Sequence, residues 1–73
     1  MKIEYDQEAD ALYIQFRSVT VEDNVDVEEG VTVDLGEDGH IVGIEILAAR
    51  KRFGIKAIAN ISIENLPVED LID

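Results

Sequence analysis

The only imidazole, His40, follows Glu37, Asp38 and Gly39. An imidazole beside carboxylates can do general acid–base work, but only where an acid orients the ring and a substrate proton lies within reach. Gly36-Glu37-Asp38-Gly39-His40 reads instead as an exposed turn, so the expected reading is a solvent-facing histidine. Asp6, Glu8 and Asp10 are spaced two apart, like the opening of a calcium loop. Such a loop also needs glycine at its sixth position and a bidentate acid at its twelfth; Ala11 and Arg17 stand there. The acids suit a turn, with Asp6 or Asp10 accepting hydrogen bonds from nearby backbone amides. Gly36, Gly39 and Gly43 lack the spacing of a phosphate-binding loop. Gly43, inside an alternating run, signals a bulge or a close backbone approach. With 17 acids in 73 residues, close carboxylate pairs are inevitable and mark no catalytic site. These residues give no expected catalytic, cofactor-binding or metal site, and no cofactor.

Composition narrows the classes further. The chain has no cysteine and one histidine, which excludes disulfides, thiolate metal sites and a multi-histidine site within one chain. A net charge of −11 opposes direct nucleic-acid binding and binding to anionic lipid. Arg50-Lys51-Arg52 is too short a basic run to reverse that. It suits a helix C-terminus or pairing with the chain's own acids. The opening MKIEYDQEAD has no apolar run of signal-peptide length. No stretch reaches the roughly 18 apolar residues of a membrane span. The expected location is the cytoplasm, with no membrane partner.

The elements that must position these residues follow from periodicity. Ten Ile, eight Val and five Leu supply the apolar side chains, and the preponderance of β-branched types favours strands. Lys2–Tyr5, Ala11–Arg17, Asn24–Glu28, Val31–Leu35 and Ile41–Leu47 each alternate with period two. Ser18–Asn24 reads as a loop with Val19 and Val21 touching the sheet edge. Glu29-Gly30 and Asp38-Gly39 are turn signals, the second the stronger. Ile41 and Leu47 make the fifth run apolar on both sides, as in a central or covered strand. Ala48–Phe53 favours one or two helical turns stopped by Gly54. Ile55–Ala59 is ambiguous. Asn60–Glu64 alternates like a further strand, and Pro67 suits the start of a helix over residues 66–72. The expected fold is a single α+β domain, residues 1–73. It comprises a small antiparallel β-meander sheet of four to five strands with short C-terminal helical segments.

Tyr5-Asp6-x-Glu8-x-Asp10-x-Leu12-Tyr13-Ile14, then Gly30, then Asp38-Gly39-x-Ile41-Val42-Gly43-Ile44-Glu45-Ile46-Leu47 resembles the prokaryotic family called domain of unknown function 2283. Members commonly continue with Asp-Ala-Ser; Ala48-Ala49-Arg50 stands here. The resemblance implies a small sheet with a C-terminal helix and brings no catalytic residues. Some members look like partners of small neighbouring proteins that resemble ribonuclease toxins.

Residues 18–49 hold nine acids and no lysine or arginine. With no catalytic constellation in view, the favoured function is protein–protein interaction. Its sharpest form is an antitoxin-like neutraliser of a basic protein partner, with Glu22, Asp23, Asp26, Glu28 and Glu29 as the partner-binding residues. The alternative is a small ligand-binding protein or enzyme whose site forms between subunits of a homodimer. A third reading is an accessory or solubilising domain.

Overall fold

The computed structural model describes residues 1–67 and 69. Five strands, β1 (Lys2–Asp6), β2 (Ala11–Gln15), β3 (Asp23–Glu28), β4 (Val31–Leu35) and β5 (Ile41–Leu47), precede two short helices, α1 (Ala49–Phe53) and α2 (Ile55–Ala59). All pairings are antiparallel, and the sheet order is β1-β2-β5-β4-β3. The small α+β architecture expected from the alternation is present. β3, β4 and β5 run as a meander. β2 pairs with β5 and not with β3, so the segment between β2 and β3 crosses three strand spacings of about 4.8 Å each. This pairing makes β5 the central strand, in keeping with its two-sided apolar pattern.

The turns form where the sequence signals them. Asp6 Oδ1 accepts the Glu8 and Ala9 amides at 3.0 and 3.2 Å and closes the β1–β2 turn. The Asp38-Gly39 turn joins β4 to β5, with Gly39 at φ 79°, a backbone region that a side chain disfavours. Glu29-Gly30 joins β3 to β4, with a bulge between Asp26 and Glu28. A second bulge lies between Asp34 and Leu35, opposite the Ile41–Gly43 stretch.

α1 ends at Gly54, whose amide bonds the Arg50 carbonyl at 2.8 Å; the chain then turns into α2, which resolves the ambiguous Ile55–Ala59. The strand expected over Asn60–Glu64 is absent. Asn60 instead closes α2 by donating its side-chain amide to the Lys56 carbonyl at 2.7 Å. That leads Ile61 to an apolar groove of about 240 Å³ with Ile3, Leu12, Ile14, Phe53 and Ile58 on the face of the β1–β2 end, and not into a sixth strand. The helix expected over residues 66–72 falls largely outside the described residues.

One face of the sheet is apolar. Register aligns Ile3, Ile14, Ile44, Val33 and Val25 in a row across all five strands, and Tyr5, Leu12, Ile46 and Val31 in a second. The helices cover only the β1–β2 end of it. The buried apolar side chains among the described residues are Leu12, Val42 and Ala49.

Candidate functional site

The motif residues on the opposite, polar face are engaged with one another. Tyr13 on β2 reaches across β5 and donates its hydroxyl to Asp34 Oδ2 on β4 at 2.9 Å. It passes directly over Gly43, where any Cβ would overlap the ring and lie 2.7 Å from the Ile14 carbonyl. The close backbone approach expected at Gly43 is that of the Ile14 carbonyl, and the Tyr13 ring packs over the same point. Burial and the Asp34 hydrogen bond raise the Tyr13 pKa, which keeps the hydroxyl protonated as a donor.

Asp10 joins the first turn to α1. Its Oδ1 accepts the Tyr5 hydroxyl at 2.7 Å and the Arg50 amide at 2.8 Å, and its carbonyl accepts the Ala49 amide at 3.0 Å. The Tyr5 hydrogen bond and then the Arg50 amide hold its carboxyl below the usual range, and the same bond raises the Tyr5 phenol. Asp6 and Asp10 thus serve turn geometry, Glu8 takes part through its backbone amide, and no cluster of three metal-ligating side chains forms among the described residues.

Arg17 pins the β4–β5 turn. Its guanidinium takes both Asp38 oxygens at 2.8 and 3.0 Å, the His40 carbonyl at 2.9 Å and the Ile41 carbonyl at 2.9 Å. This fork, aided by the His40 amide, drives the Asp38 carboxyl far below the ordinary carboxylate range. His40 is exposed and enters the network through its backbone. Among the described residues its ring makes no hydrogen bond, so no base–acid pair is assembled. An open depression of about 580 Å³ beside Arg17, Glu22 and Asp38 has its cation already committed.

Arg52 does the same at the other end. It bonds the Leu47 carbonyl at 2.8 Å, the Glu29 carbonyl, and Glu28 Oε2 at 3.0 Å. The basic triplet thus pairs with the chain's own acids, at Arg52. The alternation in the sequence carries no trace of either arginine fork, because each spans more than twenty residues.

What remains uncommitted is the β3 edge. All six residues of β3 are exposed, and one side of its backbone has no strand neighbour. Asp23 and Asp26 lie on it, Glu22 leads into it, and Glu29 sits in the turn that follows. Asp26 takes a hydrogen bond from the Thr32 hydroxyl at 2.8 Å, and Glu28 is shared with Arg52. The five acids singled out by the sequence are therefore brought to one edge, with Glu28 partly neutralised. The opposite edge, β1, carries a compensated Lys2–Glu4 pair at 2.8 Å. Among the described residues no helix is long and apolar enough to cross a membrane.

Comparison with known proteins places these features in a family without a described activity. An uncharacterized protein of Methanocaldococcus jannaschii is 36% identical over 55 residues, which cover 75% of this chain and 47% of that protein. The chain therefore spans about half the length of this curated relative. No solved structure matches the chain. The model of the family described as Protein of unknown function (DUF2283) matches residues 2–50, the whole sheet and the start of α1, and the chain belongs to that family.

Proposed function

We propose that this chain is a protein–protein interaction module that accepts a basic segment of a partner along the edge of β3. The observation that carries this reading is an exposed edge strand with acids along its length. An open edge can add a further strand through main-chain hydrogen bonds. Charge decides which strand. Like charges oppose pairing with another copy of the same acidic edge, and they attract a lysine- or arginine-rich one. Covering the cationic surface of a basic protein, as an antitoxin covers a toxin, is the sharpest form of this activity.

The engaged state of Tyr5, Asp10, Tyr13, Arg17 and Asp38 supports the same reading, since these groups hold the scaffold and leave the β3 edge as the polar surface to be read. A short alternating Lys–Val peptide is the probe, titrated into the labelled chain. Amide shifts confined to β3, weakened by salt and by Glu22→Lys with Asp23→Lys, are the expected result. Equal binding by the charge-reversed variant, or shifts elsewhere, would overturn it. The natural partner is sought by co-purification with the intact chain, and must be lost with the reversed variant.

A further inference from the structure

Among the described residues the helices cover the apolar face of the sheet only at its β1–β2 end, and we infer that a second copy of this chain covers the rest. Domains close by stacking two layers over one core. Here the row Ile3, Ile14, Ile44, Val33 and Val25 spans five strands, yet none of the five is buried. Ile44 stands mid-row on the central strand, where a closed domain would bury it, and Val25 is 49% exposed.

The surface area sets the size of the missing layer. The chain exposes 5843 Å², whereas a compact monomer of 8.1 kDa exposes about 4,500 Å². The radius of gyration, 14.1 Å, likewise exceeds the roughly 11 Å of a compact chain this long. Residues 61–67, all exposed, contribute to the excess, and so does the sheet face. A standard-size interface takes about 800 Å² from each chain, which an excess of about 1,300 Å² supplies with about 500 Å² left for the C-terminal residues.

Charge selects the occupant. Each chain carries −11, so two copies meet best where charge is absent, and the central row has none; on that face Asp23 and Glu28 stand at the β3 end, across from Leu35 and Val31. An uncharged, self-complementary row packs against its own copy about a twofold axis. The axis passes near Ile44, with the sheets about 10 Å apart. This dimer uses the apolar face and leaves the β3 edge outward, so it does not depend on the partner proposed above.

The test uses the pure chain alone. Sedimentation equilibrium is expected to give twice the 8.1 kDa chain mass at micromolar concentration, with a Tm that rises with concentration. Val25→Lys is expected to weaken the dimer at least tenfold. A lone chain should tolerate that change, because Val25 is solvent-exposed there. Asn24→Lys, on the polar face of the same strand, leaves the mass unchanged. A wild-type chain of single mass at hundreds of micromolar overturns the inference. So does a dimer that persists undiminished in Val25→Lys and in Ile44→Asp, since it would use another surface.

Discussion

Tyr13 reaches across Gly43, with its hydroxyl on Asp34, so one side chain bridges three adjacent strands, β2, β5 and β4. The bridge exists because the central strand has no Cβ at that point. Gly43→Ala would place a methyl against the tyrosine ring and 2.7 Å from the Ile14 carbonyl, where the backbone cannot yield cheaply. A loss of about 1–3 kcal/mol is expected, the usual cost of overpacking. In a Tyr13→Ala background the same change should cost less, because one of the two clashes is gone. Urea unfolding of the four proteins in the cycle measures this coupling; strict additivity would refute the contact.

Acid should loosen the β4–β5 turn. Arg17 holds the Asp38 carboxyl far below its ordinary range. A carboxyl depressed in the folded state contributes stability that is present in full above its unfolded pKa of about 3.9. That contribution is lost as pH falls through the lower folded value. Asp10, lowered by Tyr5 and the Arg50 amide, adds in the same direction. Urea midpoints of the wild type should therefore fall from about pH 4 downward. Asp38→Asn should start lower at neutral pH and lose less on acidification. Parallel acid limbs for the two proteins would show that the fork contributes nothing to folding.

The alternating runs and the Asp38-Gly39 and Glu29-Gly30 turns were legible because their signals are local: period-two side chains and residues that accept positive φ. Gly43 was legible as a close approach, but the Tyr13 ring packed over it was not, since the two meet only through the β2–β5 pairing. That same non-local pairing decides that β3 is an edge, so the sequence could show the run of acids from Glu22 to Glu29 without showing that it borders open backbone. Asn60–Glu64 misled because Ile61 and Ile63 alternate like a strand, whereas Asn60 caps α2 and sends Ile61 towards the groove. The arginine forks on Asp38 and Glu28 depend on tertiary placement, and no local pattern announces them.

Ala48 links β5 to α1 at φ 55°, a left-handed conformation that costs an ordinary residue about 1 kcal/mol or more. Its side chain makes no capping hydrogen bond. Ala48→Gly should accordingly stabilise the chain by up to about 1 kcal/mol, the relief of strain exceeding the added entropy of the unfolded state. Thermal unfolding measures it at one fixed protein concentration, so that any association contributes equally to both proteins. A lower Tm for the glycine variant would place Ala48 in an unstrained conformation.

Arg52 should set stability and edge charge in opposite directions. Its guanidinium holds the β3–β4 turn through the Glu29 carbonyl and the end of β5 through the Leu47 carbonyl, while its contact with Glu28 removes one acid from the outward face of the edge. Arg52→Met keeps much of the aliphatic stem and deletes all three contacts. A loss of about 1 kcal/mol in urea unfolding is expected for a partly exposed fork. The released Glu28 carboxylate, together with the lost positive charge, should make the β3 edge bind the Lys–Val peptide more tightly, by a few-fold at low salt and by little at high salt. Glu28→Gln removes the acid as well and should reverse the gain in affinity when combined with Arg52→Met. A variant that is less stable yet binds the peptide no better would separate the arginine's structural role from the edge, and would count against β3 as the surface that reads charge.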